Sequence, residues 1–273
     1  MVLIRLKNIV AAVNHAFTLK IPEWSLKKGE SWLICGPNAS GKSLFGELLL
    51  NQIDFTGERY VCADASRDGG IAIVSPGLDE EIFEEEKRND DSEFMEGGFD
   101  PGRTALEIIY DRNRSVDIDP AYLNDLLDMF NIRHVSDKGY QFLSSGETRK
   151  VLIVSALVKK PDILILDTPY SGLDFNSQIR LRNSLEHLIA SGTQLILIAS
   201  PRFRPPNGMD HVLFLDHGEV VITGRINDIR QSQIWLDGSR PQPVPHEAFP
   251  GKYAYAPPVE TDILVELHQV SVS

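Results

Sequence analysis

Apolar positions change their period along this chain, and the changes divide it. Up to residue 74, short alternating or apolar stretches lie between turn residues, which predicts strands at 3–9, 17–21, 31–35 and 70–74 and one short helix after Gly41. Beyond residue 100 a helical period takes over. Thr104 and Glu107 have the spacing of a capping box ahead of Leu106, Ile109 and Tyr110. Asp119 and Pro120 open a helix with Leu123, Leu126, Leu127 and Phe130 on one stripe. Ser144 and Glu147 start another that runs through Val151, Val154 and Val158 until Pro161 stops it. Two almost wholly apolar runs follow, Ile163-Leu164-Ile165-Leu166 and Leu195-Ile196-Leu197-Ile198, with a helical segment ending near Gly192 between them. A strand without polar alternation has both faces covered, so these runs predict a parallel sheet between helices. Residues 212–215 and 219–223 flank His217-Gly218 and predict a terminal hairpin.

The length of 273 residues, with 42% hydrophobic and 24% charged side chains, supports one large α/β domain or two small ones and excludes disordered, collagenous and disulfide-scaffold classes. The formal charge is -12, so no overall positive field exists to hold nucleic acid or an anionic membrane. Residues 79–100 carry eleven acidic side chains against Lys87 and Arg88, a net of -9, and are expected to form a solvated surface insertion or loop. Two cysteines, Cys35 and Cys62, suit a reducing, cytoplasmic compartment. The first residues lack the pattern of a signal peptide, and apolar runs fall short of the roughly 18–20 residues that span a bilayer. Membrane association would therefore be peripheral and through another chain. Seven scattered histidines have no metal-ligand spacing, and Cys35 reads as strand core. Prolines crowd residues 237–261, which predicts a linker. The segment starting Leu264-Val265-Glu266-Leu267 then repeats the texture of Leu3-Ile4-Arg5-Leu6, as if residues 263–273 began a second, similar domain.

Candidate chemistry concentrates in Gly36, Pro37, Asn38, Ala39, Ser40, Gly41, Lys42 and Ser43, which fit G-x-x-x-x-G-K-[ST] between an apolar strand ending at Cys35 and a helix beginning near Ser43. Glycines allow backbone N–H groups to curl around phosphate oxygens, and the helix N-terminus adds its positive end. Lys42 would reach the β- and γ-phosphates of ATP, and the Ser43 hydroxyl would join a Mg2+ shell. Asp167, closing the apolar run 163–166, is the expected second anchor for that Mg2+.

With these motifs in place the chain resembles the ATP-binding cassette (ABC) ATPases. Leu143-Ser144-Ser145-Gly146-Glu147 is similar to the L-S-G-G-Q signature, and Ser171-Gly172-Leu173-Asp174 is similar to the D-loop. Residues 145–150 and 102–109 resemble, within that family, the N-terminal cassette of soluble tandem ABC ATPases of the ModF/PhrA type. The resemblance covers residues 3 to about 235. It implies a P-loop NTPase of ABC type: a mainly parallel central sheet flanked by helices, with an antiparallel β part and an inserted helical subdomain at about 76–160 that holds the acidic insertion at about 79–102. The domain would span 1–236 and the linker 237–262. The resemblance also implies a head-to-tail pair, with Ser144, Ser145, Gly146, Glu147 and Asp174 completing the ATP site of a second ABC domain on the same polypeptide or on another chain.

Four positions depart from the family pattern. Thr168 replaces the glutamate that polarises the attacking water, Pro201 the switch histidine, Pro76 the Q-loop glutamine, and Val13 falls where an aromatic stacks on adenine, with the offset around His15 and Phe17 open. No catalytic residue is therefore assigned, since threonine cannot act as a general base near pH 7 and such a base contributes about 10²- to 10⁴-fold. The expected function is Mg-ATP binding by one half of an ABC pair whose own site is impaired in hydrolysis. Two alternatives are an energising subunit of a membrane transporter and a non-transport ATP-driven switch; a nucleic-acid partner is disfavoured.

Overall fold

Strands buried along their whole length and strands that alternate occupy different halves of one sheet. In a computed structural model, residues 1–14, 17–62, 65, 70–89, 100–201, 203–233 and 235 are described, and all of them belong to the unit Met1–Arg240. Strand β1 is Val2–Asn14, β2 Phe17–Lys27, β3 Trp32–Cys35, β4 Thr56–Val61, β5 Ile71–Val74, β6 Ile163–Asp167, β7 Gln194–Ile198, β8 His211–Asp216 and β9 Glu219–Arg225. The sheet order is β4-β1-β2-β9-β8-β3-β7-β6-β5. From β8 to β5 every pairing is parallel, whereas β4-β1, β1-β2 and β9-β8 are antiparallel. A single parallel pairing, Lys20 with Glu219, joins β2 to β9. The expected mixed sheet is the observed one.

Residues β3, β6 and β7 are buried at every position because alternate side chains feed two cores. Leu33, Leu164, Leu166, Leu195 and Leu197 face one cluster, packed by helices α3 Ala105–Asp111, α4 Pro120–Met129, α5 Ser145–Leu157 and α6 Phe175–Ala190. Ile34, Ile163, Ile165, Ile196 and Ile198 face the other, with helix α1 Lys42–Leu49 and the inner residues of β1 and β2. Both capping boxes form: Thr104 with Glu107 opens α3, and Ser144 with Glu147 opens α5. Asp119 caps α4 ahead of Pro120. The hairpin β8–β9 turns at His217 and Gly218, both at positive φ (46° and 79°), the turn that matches the twist of antiparallel strands. The short helix α7, Ile226–Ile229, follows β9.

Two expectations change. Strand β4 was not foreseen: Thr-Gly-Glu-Arg-Tyr-Val pairs only with β1 at the sheet edge, so it is largely exposed and carries no apolar alternation. The acidic stretch is not a loop in its first half, because Gly77–Arg88 forms helix α2. Asp79 and Glu80 stand in its first turn and Lys87 and Arg88 in its last, which complements the helix dipole. Its inner face buries Ile82 and Glu86. Arg103 compensates the buried carboxylate: Nε and the backbone N–H donate to Glu86 at 2.6 and 2.7 Å, Nη2 to Glu85 at 2.9 Å and Nη1 to Asp111 at 3.2 Å. Residues 90–99, the linker 237–262 and the repeat-like segment 263–273 lie outside the described residues.

Replacing Arg103 by alanine leaves the Glu86 carboxylate buried without its cation. The expected loss is about 2–3 kcal/mol of unfolding free energy in urea titration, with early proteolytic cleavage around α2.

Candidate functional site

The loop 36–43 is shaped by close approaches that only particular residues permit. At Gly36 (φ 154°) a Cβ would fall 2.0 Å from the Leu215 carbonyl oxygen, so β3 can deliver the chain into the turn only without a side chain. Ala39 (φ 59°) and Gly41 (φ 97°) take left-handed backbone and wind the loop into α1. The Lys42 ammonium, buried and with its pKa lowered by desolvation, donates to the carbonyls of Gly36 (3.0 Å) and Pro37 and to Ser40 Oγ (3.4 Å). It is held by the loop it belongs to, at the mouth of a cavity of about 300 Å³ lined by Phe17 and residues 39–44.

Asp167 reaches the same place from β6. Strand β7 lies between β3 and β6, and all three run in parallel, so their C-terminal tips emerge together. Asp167 is 4% exposed and hydrogen-bonded to the Ser43 hydroxyl. Its Oδ1 is buried with no hydrogen-bond partner. Burial raises its carboxyl above the usual aspartate range, opposed by the Ser43 hydroxyl, Lys42 and Arg149. A buried carboxylate oxygen with an unfilled valence, beside a hydroxyl, fits a hard divalent cation. Among the described residues no cluster of three or more His, Cys, Asp or Glu could hold a metal by itself. A cation at Ser43 and Asp167 would thus need further oxygens from a phosphate.

The second predicted group assembles around the start of α5. Ser144 N–H and Oγ donate to Glu147 Oε2 at 2.8 Å, and Glu147 N–H donates back to Ser144 Oγ. Burial acts to raise the Glu147 carboxyl, but the Ser144 amide and hydroxyl hold it below the usual glutamate range. Ser145 Oγ donates to the Gly172 carbonyl (3.4 Å), and Gly146 packs on Ser177. Asp174 caps α6 through the Ser177 amide and hydroxyl. Residues 144–147 and Asp174 therefore share one neighbourhood, and no hydrogen bond among the described residues ties them to the loop 36–43.

The ABC transporter family profile matches residues 19–171. The chain belongs to this family. It is 36% identical over 183 residues to the ABC transporter ATP-binding protein ModF of Escherichia coli, covering 66% of this chain but 36% of ModF, so the chain spans little more than a third of that relative. Against the energy-coupling factor transporter ATP-binding protein EcfA2 of Thermotoga maritima it is 31% identical over 206 residues, 73% of this chain and 72% of EcfA2. The solved ATP-binding cassette MJ1267 superposes with a TM-score of 0.66 at 21% identity over 88% of this chain and all of that one, a likeness of fold. ABC ATPases bind ATP, generally with Mg2+, and work as dimers, in some cases with membrane proteins. No helix among the described residues is long and apolar enough to cross a membrane.

One of the departures from the ABC pattern, Thr168, stands beside Lys42. A cavity of about 180 Å³ is lined by Asn38, Lys42, Thr168, Tyr170, Ser171, Ala199, Ser200 and Phe203, which bring hydroxyls and an amide but neither carboxylate nor imidazole. Thr168 takes φ 47°, unusual for a β-branched residue, with its N–H donating to the Ile198 carbonyl. Pro201 is buried after β7. Pro76 precedes α2 as its cap and offers no side-chain amide. The Val13 side chain lies outside the described residues; among the described residues the aromatic at the loop is Phe17, its ring 3.1 Å from a Cβ placed on Gly41. The buried Arg149 adds a charge that opposes the rise of the Asp167 carboxyl, a role for which no sequence signal singled it out.

A raised carboxyl means that the folded state takes up a proton more readily than the unfolded one, so ionised Asp167 destabilises the ligand-free fold as pH rises above the ordinary aspartate range. Asp167→Asn should therefore raise ligand-free stability by about 1 kcal/mol at pH 7. The Mg2+-dependent part of ATP stabilisation should vanish in the same thermal-shift series.

Proposed function

We propose that this cassette binds Mg-ATP on residues 36–43 as one half of a head-to-tail ABC pair, and that its own site is impaired in hydrolysis. The observation that carries the reading is the convergence of Lys42, Ser43 and the unpaired Asp167 oxygen beside a cavity without a general base. Lys42 would exchange its loop carbonyls for phosphate oxygens, and backbone N–H groups of the loop with the α1 N-terminus would hold the rest of the phosphate charge. Mg2+, when bound at Ser43 and Asp167, supplies charge neutralisation at the phosphates. Phe17, whose ring lies beside Gly41, would stack on adenine. Thr168 offers a hydroxyl that neither accepts a proton from water at neutral pH nor carries charge, and Pro201 cannot substitute for it.

In this reading Ser144, Ser145, Gly146, Glu147 and Asp174 complete the site of the partner cassette. Glu147 is committed to its own cap, so the exposed end of α5 would act through backbone N–H groups and its dipole. The likeness of residues 264–273 to 3–12 supports a partner on the same polypeptide, with 1–236 as the first domain and 237–262 as linker. Two free, buried cysteines support an intracellular, reducing location. A second reading, the energising subunit of a membrane transporter, is favoured by a cavity of about 280 Å³ between β5, which is the sheet edge, and α5. Arg112 and Lys159 line it without a salt bridge among the described residues, and the Asn113 side-chain oxygen is buried there without a partner. Co-purification with a membrane protein, lost on Lys159→Glu, would establish that reading.

Lys42→Ala should weaken Mg-ATP binding tenfold to a hundredfold, about 1.5–3 kcal/mol by calorimetry. In single-turnover assays Thr168→Glu should speed hydrolysis by about 10²-fold over a slow parent. A parent that already turns over as fast as the variant would remove the impairment from the proposal.

A further inference from the structure

The phosphate loop and the aromatic beside it are carried by different halves of the sheet. Strand β3, which delivers residues 36–43, pairs in parallel with β7 and β8, whereas Phe17 opens β2, which pairs along its length with the antiparallel β1. Among the described residues the two halves meet at one register position, Lys20 with Glu219. The separation between a base stacked on Phe17 and phosphates held by the loop is therefore set where β9 meets β2. The residue at that junction is Gly218.

Gly218 uses both of its backbone groups there. Its N–H donates to the Ser40 carbonyl of the loop at 3.2 Å, and its own carbonyl accepts from the Lys20 N–H at 2.7 Å. The same corner of β8 and β9 braces the start of the loop, since a Cβ on Gly36 would overlap the Leu215 carbonyl oxygen. A Cβ on Gly218 would overlap the Thr18 carbonyl oxygen, and its φ of 79° is a backbone that only glycine takes at no steric cost. The Phe17 ring is seated between two glycines: its Cζ lies 3.1 Å from a Cβ placed on Gly41 and 3.2 Å from one placed on Gly218. At the surface the Lys20 ammonium and the Glu219 carboxylate close the junction, 2.9 Å apart.

We infer that Gly218 is a positioning residue for the base: by bridging the loop and β2 it fixes Phe17 at the distance from Ser40 that lets one ligand reach the ring and the phosphate loop together. A side chain at Gly218 would push the start of β2 off the turn and carry Phe17 with it. Lys42, Ser43 and Asp167 belong to α1 and β6 and would keep their places. A purine would lose its platform while the phosphates kept theirs. The inference rests on the Mg-ATP reading above.

Calorimetric titration of the full chain with Mg-ATP and, separately, with Mg-tripolyphosphate, which has the phosphate chain and no base, tests it. The parent should prefer Mg-ATP by about tenfold, the ordinary worth of a base stacked on an aromatic ring. Gly218→Ala should lower that preference to about twofold or less, Phe17→Ala should do the same, and the double variant should lose nothing further, because both changes act through one ring. A Gly218 that only braces the loop would weaken both ligands by the same factor and leave the preference at the parent's value. That result, or a further loss in the double variant, overturns the inference. If Gly218→Ala does not fold, Glu219→Ala, which cuts the Lys20 ion pair at the same junction, should lower the preference by about twofold with tripolyphosphate binding unchanged, and an unaltered preference overturns the inference. A parent that binds neither ligand refutes the Mg-ATP reading, whereas one that binds both equally refutes the positioning of the base alone.

Discussion

A strand with every side chain buried must be covered on both faces, and β3, β7 and β6 meet that requirement by sending alternate residues into two separate cores. Helices over one face and helix α1 with the β1–β2 layer over the other can be connected only by crossovers, so the three strands run in parallel. Parallel strands have their C-terminal tips at one edge. Cys35, Asp167 and Ile198 therefore arrive side by side, and the chain leaves each of them into the loops that make the candidate site. The proximity of Lys42, Ser43 and Asp167, far apart in sequence, follows from how the apolar core is covered.

Electrostatics at that edge is organised around charges that the protein's own groups satisfy only in part. Lys42 donates to carbonyls of its own loop, which offsets its burial without a counter-ion in contact. Asp167 retains an unpaired buried oxygen, and its pKa is pushed up accordingly. Both groups are better satisfied by a phosphate and a divalent cation than by the protein alone, so ligand binding and local stability are linked. Among the described residues the cavity at Thr168 is lined by neither a carboxylate nor an imidazole.

Helix α2 shows how charge density misleads when read without its neighbours. Eleven acids between 79 and 100 suggest solvated, extended chain. Glu86 and Asp79 are instead turned inward against Arg103 and Arg149, which come from segments well downstream. By contrast, the capping boxes at Thr104 and Ser144, the cap at Asp119 and the turn at His217-Gly218 were legible because each is completed within a few residues. Strand β4 was illegible for the opposite reason: as an edge strand on β1 it needs little apolar content to pair.

By itself the amino-acid sequence determined the local turns and caps, the apolar runs and the motif residues 36–43, 143–147 and 171–174, since these depend on short-range backbone and side-chain chemistry. Only the tertiary structure decided that Phe17 stands at the loop, because a register of strand against loop sets that distance. It also decided that Arg149 pairs with Asp79, and that the acidic stretch begins as a helix whose inner face buries Ile82 and Glu86. These are outcomes of long-range packing, in which the energy of a charge depends on what the fold brings beside it.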